Sequence, residues 1–294
     1  MTGKEAELFE DFNKIIEQTF DELISSISED NLFKLDENMI SESLKVKEVS
    51  WQKEGKVYLD GLTPEQFFST IKDTDILLKM FELAAITCDR DIPDVLTQTL
   101  IDAGANVEER LLDIALDEQY RRDTENIVIA AAAIFVLGNT HRAEVVQSLL
   151  TVLLDCREDD ALIMESITDA LKQFDGEAID TICNFIQIQD NLDYRIEYLV
   201  MILPELSKDR KSDEVYRLIK NSFSRMDNKI LGASALAEYG DGRAIPVLRG
   251  FLEKNAKNLD KETFFEIKKS IELLGGNIEG LVLPSFTQKQ NMLH

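Results

Sequence analysis

The sequence predicts an all-α fold, an α-solenoid of antiparallel helix pairs preceded by a small N-terminal helix and a possible β-hairpin. Three observations lead there. An apolar helical pattern stops in the same way at Gly138, Asp175, Ser207, Gly240 and Gly275, at separations of 37, 32, 33 and 35 residues, the range of short helical repeats. The residues flanking these breaks fall into columns of like size. The 294-residue chain holds only five Pro and thirteen Gly, and 44% of it is hydrophobic, so it can bury a core and favours helix.

In chain order, residues 1–61 read as an N-terminal cap or accessory subdomain. Leu8, Phe12, Ile15, Ile16, Phe20, Leu23, Ile24 and Ile27 recur at helical spacing and define an amphipathic helix. Ser43–Gly61, SLKVKEVSWQKEGKVYLDG, carries alternating and β-branched apolar residues around Glu54-Gly55, the pattern of a small hairpin. Trp51, the only tryptophan, is expected to pack on the first helix rather than to serve as an exposed binding anchor. Thr63-Pro64-Glu65-Gln66 is a helix start: Thr63 can cap, Pro64 suits the first turn and Gln66 completes a capping box. Residues 62–123 read as a degenerate first repeat, with a break at Asp89, Ala84 in the small column and Leu100 eleven residues on. An extra helix over Val107–Arg122 turns Leu111, Leu112 and Ala115 inward.

Residues 124–286 form the repeat array. Five residues before each break stand Ala133, Ala170, Ile202, Ala235 and Ser270; four before it, Ile134, Leu171, Leu203, Leu236 and Ile271; immediately before it, Leu137, Phe174, Leu206, Tyr239 and Leu274. Eight residues after it come Val146, Cys183, Val215, Leu248 and Leu283, and eleven after it Leu149, Ile186, Leu218, Phe251 and Phe286. A small residue in the first helix admits the second at close range, aliphatic residues fill the space between, and Gly or Asp supplies the turn. One pair cannot bury its outer apolar face, so such pairs stack. Pro284 should cut the second helix of the last copy short, and residues 287–294 read as a frayed tail.

The pieces AAAIFVLGNTHRAEVVQSLL, ITDALKQFDGEAIDTICNFI and ASALAEYGDGRAIPVLRGFL resemble HEAT repeats, in particular the short PBS lyase HEAT-like kind. That pattern is an Ala-Leu helix, a Gly/Asp turn and an Ala-Ile-Pro-x-Leu second helix. The stretch Gly240-Asp241-Gly242-Arg243-Ala244-Ile245-Pro246-Val247-Leu248 matches it closely, and the other copies depart at the Pro. The resemblance spans about residues 124–286 and implies architecture more than activity, since such repeats serve many functions.

Charge and missing motifs narrow the function. Net charge is -24, and the imbalance is uneven: Asp and Glu outnumber Lys and Arg by 45 to 19 in the first 210 residues, whereas Lys and Arg lead by 13 to 11 in the rest. Most of the chain would repel phosphate backbones, so neither nucleic acid nor anionic membrane is an expected partner. The start, MTGKEAELFEDF, is acidic where a signal peptide is basic, and no run approaches 18 apolar residues, which predicts a soluble, cytoplasmic protein. Cys88, Cys156 and Cys183 lack metal or redox spacing and read as small buried hydrophobes. The two histidines, His141 in a turn and His294 at the end, cannot assemble a triad or an iron or zinc site. Phosphate loops are absent, and acidic pairs such as Asp89/Asp91 lack the framework of a calcium loop. No catalytic residue, metal or cofactor is expected.

The resulting expectation is a non-catalytic scaffold that binds a protein or peptide. In HEAT-like arrays the second helices line the concave face, and the resemblance implies the same here. Glu144, Gln147, Asp155, Glu177, Asp180, Asn184 and Gln187 would stand on that face in the early repeats, and Arg217, Lys220, Arg225, Arg243, Arg249 and Lys254 in the later ones. A ligand of opposite polarity would be steered by charge and weakened by salt. The alternative comes from the resemblance alone: relatives of this repeat class occur in bilin lyases, so the chain would be an enzyme or enzyme subunit that binds a tetrapyrrole.

Overall fold

The computed structural model describes residues 3–25, 37–174 and 176–282, with the side chains of residues 37, 38 and 177 outside that set. Among the described residues there are sixteen α-helices, one 3-10 turn and no strand. The chain divides into two compact units, Met1–His141 and Arg142–His294.

The first unit contains α1 (Gly3–Ser25), α2 (Glu37–Gln52), a 3-10 turn at Val57–Leu59, α3 (Pro64–Thr70), α4 (Thr74–Thr87), α5 (Asp94–Asp102), α6 (Ala105–Leu116), α7 (Glu118–Arg122) and α8 (Ile127–Gly138). Helix α1 packs on α2 and α4, α3 on α5, and α6 on α8. The expected N-terminal helix is thus present through Ser25, while Ile27 lies outside the described residues.

The expected β-hairpin is not formed. Ile40, Leu44, Glu48 and Trp51, three or four residues apart, occupy the less exposed face of α2, and Val46, which gave the segment its apparent alternation, points to solvent. Helical period prevails because α2 packs along α1. Trp51 is buried, its ring 4.9 Å from that of Phe12. The chain then turns through Gly55, where an added Cβ would meet the Gly61 carbonyl oxygen at 2.9 Å. The Lys56 N–H donates to Leu62 O and the Gly61 N–H to Lys56 O, each at 2.9 Å, closing the loop.

A single carboxylate ties these pieces together. Asp11 Oδ2 accepts from Trp51 Nε1 at 2.9 Å and from Tyr58 OH at 2.8 Å, and lies 3.2 Å from the buried Lys56 ammonium. Burial pushes the Asp11 pKa up, but the hydrogen bonds from Tyr58, Trp51 and Lys56 outweigh it, so the carboxyl sits below its ordinary value. The expected start of α3 is present: Thr63 Oγ1 accepts from the Gln66 N–H at 3.1 Å while Gln66 Oε1 accepts from the Thr63 N–H at 3.0 Å. Ala84, Leu100, Leu111 and Ala115 are buried and Leu112 is half-buried.

The second unit contains α9 (Ala143–Asp155), α10 (Ala161–Lys172), α11 (Gly176–Gln187), α12 (Tyr194–Leu206), α13 (Asp213–Arg225), α14 (Lys229–Tyr239), α15 (Ala244–Asn255) and α16 (Lys261–Leu273). Its helices form two layers: α10, α12, α14 and α16 touch in succession, and so do α9, α11 and α13. Across the layers α9 packs with α10, α11 with α12, α13 with α14 and α15 with α16. Side chains of Asp193, Ser212, Asn228 and Asp260 cap the starts of α12, α13, α14 and α16.

The repeated columns form the core of this unit and of α8. Ala133, Ala170, Ile202, Ala235 and Ser270 are all buried, and Ile134, Leu171, Leu203, Leu236 and Ile271 are fully so. Gly240 ends α14 at φ 74°, a left-handed conformation that favours glycine. The Tyr239 hydroxyl accepts from the Ser212 N–H and donates to the Ser212 carbonyl, both at 2.8 Å, pinning α14 to the start of α13. After Gly275, residues 276–282 form no helix, with a single turn at 279–280. The break at Asp175, together with Leu283, Pro284, Phe286 and the expected tail, lies outside the described residues.

Candidate functional site

The residues expected on the binding face all belong to the second unit, and most extend from α9, α11, α13 and α15. The core columns dictate this placement. Val146 and Leu149 on α9, Cys183 and Ile186 on α11, and Val215 and Leu218 on α13 point inward, so the positions between them point out. On α9, Glu144, Gln147 and Asp155 are exposed; on α11, Asp180, Asn184 and Gln187 are exposed, while the Glu177 side chain lies outside the described residues. On α13, Arg217 is exposed and Lys220 half-exposed; Lys254 is exposed on α15.

The basic candidates are of two kinds. Three hold the unit together. The Arg225 guanidinium donates to the Gln189 and Asp190 carbonyls at 2.5 and 2.9 Å, tying the end of α13 to the loop after α11. Arg249 donates to the Asn277 and Glu279 carbonyls at 2.5 and 2.9 Å and pairs with Glu253 at 3.0 Å. Arg243 bridges Asp241 and Asp213 at 2.6 and 2.8 Å with its guanidinium over the Tyr216 ring. Arg217, Lys220 and Lys254 form no ion pair or side-chain hydrogen bond among the described residues.

Two apolar residues missing from the expected set share the face. Ile188, one turn beyond Asn184, is 75% exposed, and Leu154, one residue before Asp155, is 38% exposed. Sequence reasoning passed over them because apolar residues at helical spacing are counted as core. Their signal was present in the spacing, since Asn184 to Ile188 is the same four-residue step that joins Asp180 to Asn184. The face therefore runs from carboxylates on α9 and α11, past an exposed isoleucine, to two cationic side chains in the middle of α13. Asp213 and Glu214 stand in the first turn of α13 and Arg225 in its last.

Elsewhere the reactive side chains are quiet. Cys88, Cys156 and Cys183 are all buried. Burial, reinforced by nearby carboxylates, pushes the thiols of Cys88 and Cys183 up to about 12, so neither is a ready nucleophile. His141 is exposed at the end of the first unit with φ 52°. Among the described residues no helix is long and apolar enough to cross a membrane. No protein-family model, curated protein or solved structure matches the chain.

Proposed function

We propose that the protein is a non-catalytic scaffold of the HEAT-repeat type, soluble and cytoplasmic, that binds a protein or peptide along the exposed face of α9, α11, α13 and α15. The observation that carries this reading is the separation of charge on that face: Asp155, Asp180 and Glu144, the last paired with Arg142 at 3.7 Å, at one side, Arg217 and Lys220 at the other, on helices that touch in succession. Charges held apart in this way select a partner of the opposite order and speed its approach. The resemblance to HEAT-like repeats supports the same reading, because second helices form the binding surface in such arrays. Arg225, Arg243 and Arg249 support it indirectly by fixing the loops that set the helices at their spacing.

The test is affinity capture from extract of the source cells at low and at moderate salt, with the wild-type chain and with Arg217→Glu/Lys220→Glu/Lys254→Glu. The expected result is a polypeptide retained by the wild type at low salt, lost at moderate salt and lost from the variant. Retention of the same polypeptides by both chains contradicts the reading.

A further inference from the structure

The first unit carries an open cleft of about 1040 Å³, at the upper end of the size of small-molecule sites. It follows α5 from its first residue, Asp94, to its last, Asp102, with Gln52 of α2, Glu65 of α3 and Asn139 at the end of α8 on its other walls. Phe68, Leu77 and Thr97 line it while buried, and so form its floor. Thr97 is the polar member of that floor: it is 6% exposed, and its hydroxyl has no hydrogen-bond partner. By contrast, Ser69 donates to the Gln66 carbonyl at 2.7 Å and Thr99 to the Val95 carbonyl at 2.6 Å, the usual resort of a helical hydroxyl. A buried hydroxyl left unpaired is rare, and here the missing partner would come from the cleft.

The charges around the rim narrow the partner. Asp73 is committed to capping the start of α4, and Asp102 accepts from Gln98 Nε2 at 2.8 Å. The remaining carboxylates and ammonium groups of the lining, Glu65, Asp94, Lys45 and Lys72, are exposed and form no ion pair or side-chain hydrogen bond among the described residues. Two negative and two positive groups offset each other, so an ion of either sign meets repulsion as well as attraction. A hydroxyl suits both, since it donates to a carboxylate and accepts from an ammonium, and it can do either with Thr97. Half-buried Ile71, Val95 and Ile101 also line the cleft, and the C–H faces of a sugar ring would cover them. We infer that this cleft binds an uncharged, polyhydroxylated molecule of oligosaccharide size, with one of its hydroxyls paired to Thr97. The inference concerns the first unit and does not rest on the charged face of the second.

The probes are maltotriose, cellotriose and triacetylchitotriose, neutral trisaccharides that differ in linkage and substituent. Spermidine and the zwitterionic dipeptide glycylglycine are the charged controls. Each is titrated into the full chain and followed by amide chemical shifts. The expected result is saturable binding of at least one trisaccharide, tighter than of either control, with shifts centred on Thr97 and Gln98. Thr97→Val keeps the shape of the side chain and removes the hydroxyl. It should weaken that trisaccharide about tenfold, the effect of one lost hydrogen bond, and Thr97→Ser should restore most of the affinity. Because the hydroxyl has no partner within the fold, Thr97→Val should not lower stability. Glu65→Gln/Asp94→Asn, at exposed positions, should weaken the same trisaccharide while the fold is retained.

No saturable binding of any trisaccharide, tighter binding of spermidine or glycylglycine, shifts centred elsewhere, or equal affinity of the wild type and Thr97→Val would each overturn the inference. The scaffold reading is judged separately, by capture of a cellular partner on the second unit, and stands or falls whatever the cleft binds.

Discussion

The N-terminal part of the first unit and the layers of the second solve the same packing problem in opposite ways. In the second unit the solution is repeated: a small residue, an aliphatic residue and a capped helix start recur from one pair to the next, and neighbouring pairs back one another. Between α1, α2 and the 3-10 turn the solution occurs once, at Asp11, where an indole, a phenol and a buried ammonium converge on one oxygen. A repeated apolar column distributes the loss when one member is removed. A polar hub concentrates it, because the Trp51 and Tyr58 donors left behind lose their acceptor together.

Mutation should expose that contrast. Asp11→Ala leaves the Trp51 indole N–H and the Tyr58 hydroxyl without their acceptor, while Lys56 keeps its 2.9 Å pair with Glu54, and is expected to cost about 3–4 kcal/mol, measured by denaturant unfolding followed through the fluorescence of Trp51, the only tryptophan. A cost below about 1 kcal/mol would mean that Phe12–Trp51 packing, not the hub, holds this region. Leu236→Ala, in the centre of a repeated column, should cost about 3 kcal/mol through its cavity, measured by circular dichroism. Tyr239→Phe removes both hydrogen bonds to Ser212 while keeping the ring, with an expected cost of about 1–2 kcal/mol.

Two further effects are pH dependences of opposite sign. Asp11 has a folded pKa below its ordinary 3.8, so its contribution is present above that value and is lost as pH falls through the folded pKa. Glu48 is the reverse case. Burial, aided by the carboxylates of Asp94 and Asp91, pushes it from 4.5 up to about 7, although its Oε1 accepts the Asp94 N–H at 2.5 Å. The folded state then holds a proton that the unfolded state has released, so stability declines as pH rises from about 4.5 to about 7. Glu48→Gln should flatten that decline in Trp51-monitored unfolding and leave the acid limb due to Asp11 in place. An unchanged profile would show that Glu48 does not titrate in this window.

The same contrast explains what could be read from the sequence. The columns around Gly138, Ser207 and Gly240 were legible because each is written several times, and their members are buried except for the half-buried Leu206 and Phe251. The capping box at Thr63 was legible because it is local. Residues 43–61 were misread as a hairpin because Lys45, Val46 and Lys47 imitate alternation, and what decides the matter is a contact with Asp11, forty residues before Trp51. On the candidate face, spacing was enough to place Glu144, Asn184 and Arg217 at the surface. It could not separate Arg225, Arg243 and Arg249 from Arg217, Lys220 and Lys254, because the Gln189, Asp190, Asn277 and Glu279 carbonyls and the Asp213 carboxylate that engage the first three are brought near only by the fold.

In the proposed scaffold, position on one face, rather than total charge, determines binding. It is tested most directly by capturing partners at low salt with three chains side by side: the wild type, Arg217→Glu/Lys220→Glu/Lys254→Glu, and Lys14→Glu/Lys53→Glu/Lys79→Glu, which makes the same charge change at exposed positions of the first unit. A partner held by the wild type is expected to be lost from the first variant and kept by the second. Equal loss from both, or equal retention by both, would contradict it.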